Sequence, residues 1–98
     1  MKYPKRIQIT RHVFYNLVWV DIFPDNATHS TKGICDPELK TIFLRTKMSN
    51  RLTWEVFNHE LLHAISFEYK IELPHSLLDK LSKAIARVLR LNKKRIKI

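Results

Sequence analysis

The sequence predicts an α+β domain, with strands in its first half and two helices in its second. Three observations carry that expectation. Alternating and β-branched runs fill the segment before residue 46. Apolar residues then recur at helical spacing from about residue 50 to the end, and Pro74 divides that stretch in two. Strands followed by helices point to helices packed on one face of a small sheet.

The elements follow in order. Ile7-Gln8-Ile9 alternates, and His12 to Phe23 is rich in valine, isoleucine and aromatics, so both segments read as strands. Pro24-Asp25-Asn26 ends the second, and a polar loop runs to Lys32. A short strand at about Gly33 to Cys35 turns through Asp36-Pro37, the first two positions of a type I turn, into another at about Thr41 to Arg45. The sheet therefore has three to four strands. Ser49 or Asn50 caps a helix that reaches about Tyr69. Pro74, whose fixed φ suits a first helical turn, opens a second helix that reaches about Leu91, and the basic NKKRIKI closes the chain.

The 98 residues suffice for one domain, spanning 1–98, with one core. Hydrophobic residues make up 45% and charged residues 28%, a globular balance that excludes a disordered chain. Lysine and arginine number 18 against 9 acids, giving +9, which suits an acidic partner, a nucleic acid or simply a cationic surface. Cys35 is the only cysteine, so neither an internal disulfide nor a zinc-ribbon pair can form. The N-terminus lacks an apolar signal core, and the run Val13 to Phe23 is too short and polar to span a bilayer. These features fit an intracellular, cytoplasmic protein with no membrane partner.

Residues 59–63 read HELLH. Four helical residues turn the chain by about 400°, so His59 and His63 project about 40° apart and can share one zinc ion. Glu60 lies about 60° beyond His63, beside such an ion, where it can act as general base toward a metal-activated water. Trp54, Phe57, Leu61, Ile65 and Tyr69 occupy the opposite arc, which places the core there.

Catalytic zinc normally takes three protein ligands, so a third must lie elsewhere. The candidates downstream are Glu68, Glu72, His75 and Asp79. Glu68 points away from His59 on the same helix, and Glu72 sits in the connector. On the second helix Leu77, Leu78, Leu81, Ile85, Val88 and Leu89 form an apolar stripe, with His75, Asp79, Ser82 and Ala86 on its flank. The small Ser82 and Ala86 would let the two helices approach closely enough for Asp79 to reach the metal. Asp79 is thus the expected third ligand, although Ser76 to Asp79 also reads as a capping box. His75 is either the alternative ligand or a proton donor to the developing oxyanion.

HELLHAISFEY followed by DKLSKAIARVL resembles the minimal zincins of the ImmA/IrrE kind and the small zincin-like proteins of phages. That family carries HExxH and then a helix of form E-x-x-A-x-x-F-A-x-x-L. Here those positions are Asp79, Ser82, Ile85, Ala86 and Leu89, with aspartate where the family has glutamate. The resemblance covers the second half of the chain. It implies a small zincin-like domain, a zinc-dependent peptidase acting on a peptide or protein, and Asp79 at the third-ligand position. The upstream TIFLR looks like the edge strand along which such enzymes bind an extended peptide, with plain sheet core as the other reading.

A rival function rests on charge. Lys80, Lys83, Arg87 and Arg90 recur at i, i+3, i+7 and i+10, giving the last helix a basic face that Lys93, Lys94, Arg95 and Lys97 extend. Such a face can hold nucleic acid or an acidic protein, with zinc kept for structure. No nucleic-acid fold signature is present, and no aromatics interleave with the basic positions. An intact Glu60 favours the enzyme, because a structural zinc site needs no general base.

Overall fold

A computed structural model describes residues 3–23 and 31–95. The expected α+β order is present: β1 (Arg6–Gln8), β2 (Phe14–Val20), β3 (Gly33–Asp36) and β4 (Thr41–Arg45), then α1 (Asn50–Glu68) and α2 (His75–Leu91). The turn expected at Pro24-Asp25-Asn26 lies outside the described residues.

The four strands form one sheet in the order β1-β2-β4-β3. β1 and β2 are antiparallel, as are β3 and β4, whereas β2 and β4 run parallel with Leu17 opposite Ile42 and Trp19 opposite Leu44. β2 alternates as its sequence requires, burying Tyr15 and Leu17 and exposing Phe14, Asn16 and Val18. Tyr15, Leu17, Ile42 and Leu44 meet Phe57 and Ala64 of α1 in the core, with Trp54 and Leu61 packed around them.

TIFLR is not an edge strand. It is β4, flanked by β2 and β3, with Thr41, Ile42 and Leu44 buried. Its Ile42 and Leu44 face the core beneath α1, as an internal strand of a sheet covered on that face requires. The exposed edge on that side of the sheet belongs to β3. In the β3–β4 connection, Asp36 Oδ1 accepts from the backbone N–H groups of Glu38 and Leu39, and Lys40 N–H bonds Pro37 O. The hydrogen-bonded turn thus begins at Pro37, one residue later than the sequence suggests.

Ser49 caps α1, its hydroxyl accepting from Leu52 N–H at 3.2 Å. At the other end Lys70 takes φ 56°, and Ile71 N–H returns to Ser66 O at 3.0 Å, a left-handed stop to the helix. Pro74 precedes α2, and Leu78 N–H bonds Pro74 O. Ser76 therefore lies inside the helix, and the capping-box reading of Ser76 to Asp79 does not apply.

α2 packs against α1 and not against the strands, so the helices do not share the sheet face as expected. The molecule is a stack of sheet, α1 and α2. α2 also presents a different side from the one its leucines suggest. Leu78, Ser82 and Ala86 are buried, whereas Leu77, Leu81, Ile85 and Val88 are 45%, 37%, 37% and 54% exposed. The small flank faces α1 because it allows closer backbone approach than the leucine stripe would.

Candidate metal centre and active site

α1 positions two histidines and a glutamate between the sheet and α2. Phe57, Ala64 and the half-buried Leu61 anchor it on the core side. Glu60, 7% exposed, points toward β3, and its carboxylate accepts a hydrogen bond from the Cys35 backbone N–H. Burial raises the Glu60 pKa to about 7, and the Cys35 bond opposes that rise.

Gly33 makes this approach possible. A Cβ built there would stand 2.7 Å from Val56 Cγ1, 3.0 Å from Glu60 Cγ and 3.2 Å from Glu60 Oε2. It is the only glycine in the chain, and it sits where β3 passes over the candidate base. Sequence reasoning used it only to start a strand. The available signal was an isolated glycine at a strand position, which often marks close backbone approach.

His59 and His63 face each other with Nε2 atoms 3.2 Å apart. Two imidazoles bound to one tetrahedral zinc at about 2.0–2.1 Å would have nitrogens about 3.3 Å apart, so this separation fits a shared ion. His75, in the first turn of α2, comes in from the second helix. Its ring centroid lies 5.2 Å from that of His59 and 5.9 Å from that of His63. One ligand atom from each of the three histidines lies within 4.8 Å of the others. Desolvation lowers the pKa of both His59 and His63, followed by His75 in the first case and His59 in the second. Both are thereby held in the neutral form that a metal requires.

Asp79 stands outside this trio. Its Oδ1 lies 3.6 Å from His59 Nδ1, the nitrogen turned away from His63, and its Oδ2 lies 3.2 Å from Lys83 Nζ. The Lys83 ammonium holds the Asp79 carboxyl below its usual pKa. Glu68 is engaged elsewhere, accepting from Tyr15 Oη at 2.6 Å and pairing with Lys40. Glu72 is exposed in the connector.

Two adjoining hollows meet at Gly33, His59 and Glu60. One, of about 410 Å³, is bounded by Lys32, Leu52, Val56, Asp79 and Lys83. The other, of about 570 Å³, is bounded by Ile34, Pro37, His63, Phe67 and His75. Together they form a groove along β3. Because Lys32 O accepts from Arg45 N–H, the antiparallel alternation turns the backbone groups of Gly33 and Cys35 away from β4, where Glu60 takes the Cys35 N–H and the others face the groove. Searches of family models, of curated proteins and of solved structures find no match to this chain.

Of the basic residues expected to share a face, Lys80, Lys83 and Arg87 are exposed, Arg90 is half-buried, and Lys83 is paired with Asp79. No helix among the described residues is long and apolar enough to cross a membrane.

Proposed function

We propose that this chain is a small zinc-dependent peptidase of zincin type, with His59, His63 and His75 as metal ligands and Glu60 as general base. The observation that carries this reading is the convergence of three imidazoles, from two helices, beside a buried carboxylate. Three histidines leave a fourth position open, the donor set of a catalytic rather than a closed structural site. Zinc held there supplies Lewis acidity and lowers the pKa of a coordinated water to about 7.

The protein's own groups do the rest. Glu60 takes a proton from the attacking water and passes it to the leaving amine. Asp79 moves from the expected ligand to a positioning residue: its carboxylate, 3.6 Å from His59 Nδ1, stands where closing to hydrogen-bond distance would fix the ring and tautomer, as carboxylates behind metal-bound histidines commonly do. With His75 bound to metal, the proton-donor role considered for it falls away. The open edge of β3, rather than TIFLR, receives the peptide, whose backbone adds a strand beside Glu60.

The test is Glu60→Gln. It is expected to keep its zinc and to lose hydrolysis of an unstructured protein substrate by at least about a hundredfold, the usual scale for a general base. Equal turnover by the variant and the wild type would instead favour a non-catalytic zinc module.

A further inference from the structure

α2 carries no Phe, Trp or Tyr among its basic residues, but the fold brings such rings beside them. Where the first turn of α1 passes the last turn of α2, a cavity of about 210 Å³ is lined by Tyr3, Asn50, Arg51, Trp54, Arg90 and Lys93. Three cations, from α1, from α2 and from just beyond its end, thus share one cavity, and no acid among the described residues lines it. Arg51 has a loose pairing at 3.6 Å with Glu55, and neither Arg90 nor Lys93 pairs with an acid among the described residues. The first turn of α1 also carries no acid, so its N-terminal partial charge adds to the same field. Clustered positive charge of this kind is relieved by an anion.

The rest of the lining narrows the anion's chemistry. Tyr3 and Trp54 lie with ring centroids 5.7 Å apart, and Trp19 continues the cluster 5.3 Å from Tyr3. Cations beside aromatic rings are the pairing that single-stranded nucleic acids use, with phosphates on the charges and unpaired bases on the rings. Duplex bases are already stacked and offer no such face. Lys80, Arg87 and Arg90 extend a positive track over about 15 Å of α2 toward the cavity. The cavity is also smaller than the roughly 300–1,000 Å³ of typical small-molecule sites, which suits one unit of a longer ligand.

We propose that this cavity holds one nucleotide of a single-stranded nucleic acid, its phosphate on Arg90 and Lys93 and its base against Trp54 and Tyr3. The site is separate from the metal centre and does not depend on the peptidase reading.

The experiment uses the full chain and a dye-labelled oligothymidylate, followed by fluorescence anisotropy between about 50 and 200 mM salt. Binding is expected to weaken with salt. Arg90→Gln/Lys93→Gln should weaken it further and flatten the log–log salt slope by about 1.4, two single-strand phosphate contacts. Arg11→Gln/Lys70→Gln, with the same charge change near the opposite end of α1, should leave the affinity close to wild type. In a Trp19→Phe background, the oligonucleotide should quench the remaining Trp54 fluorescence, a signal that no charge-only contact gives. Equal losses in the two double variants would overturn the proposal. So would unquenched Trp54, a duplex bound as tightly as the single strand, or a mononucleotide bound as tightly as the oligomer.

Discussion

Gly33 and Glu60 lie close enough that one added methyl group would disturb both. At Gly33 a Cβ would sit 2.7 Å from Val56 Cγ1 and 3.0 Å from Glu60 Cγ, on a helix whose other side is fixed in the core. Neither neighbour can retreat cheaply. Gly33→Ala is therefore expected to cost about 1–3 kcal/mol, the range for overpacking a tight contact. Thermal unfolding measures that loss. The same variant should reduce hydrolysis more than its stability loss explains, because the displaced carboxylate is the candidate base. The histidine pair was legible from spacing alone, since four helical residues dictate a shared face. Gly33 was not, because its neighbours Val56 and Glu60 come from a helix more than twenty residues away.

At the scale of the element, α2 holds the main discrepancy. Its sequence has two adjacent faces able to pack: a leucine-rich stripe and a flank carrying Ser82 and Ala86. Periodicity identifies both faces but not the one that meets a neighbour, since that depends on how closely two backbones approach. The structure selects the small flank, which brings His75 to the other histidines and leaves Asp79 behind His59. Ala86, fully buried against α1, is the most direct probe. Ala86→Leu should force the helices apart, weakening zinc affinity and lowering the unfolding temperature together. Val88→Gln, on the exposed stripe, should leave both nearly unchanged, as surface changes usually stay within about 0.5 kcal/mol. Calorimetry with zinc titration separates the two outcomes. The position of β4 was hidden for a similar reason: its parallel pairing with β2 skips over β3, and strand order of that kind is non-local.

For the whole molecule, the sheet and α1 are joined beneath the site by a polar tie as well as by the core. Glu68 receives the Tyr15 hydroxyl and the Lys40 ammonium, linking the end of α1 to β2 and to the β3–β4 turn. The Lys40 and Tyr15 contacts hold the Glu68 carboxyl below its usual range. A depressed folded pKa means the tie contributes fully above the unfolded value of about 4.3 and is lost as pH falls through the folded one. The gap in unfolding temperature between wild type and Glu68→Gln should thus be widest near neutral pH and close below about pH 4. A gap that persists unchanged in acid would contradict that assignment. Among the described residues, α2 has no comparable tie to the sheet and meets the strands only through α1. A metal shared by His59, His63 and His75 would therefore be a second clasp, between α1 and α2.

The identity of the third ligand is tested most directly by metal content, measured by mass spectrometry on purified His75→Ala and Asp79→Asn side by side with wild type. Wild type is expected to carry about one zinc per chain, the occupancy of a single three-histidine site. His75→Ala should retain little of it. Asp79→Asn should still fill when zinc is in excess, with affinity reduced by about 10–100-fold, the scale for losing a carboxylate behind a ligand. Full zinc in His75→Ala together with an empty site in Asp79→Asn would contradict the three-histidine centre and return the third position to Asp79.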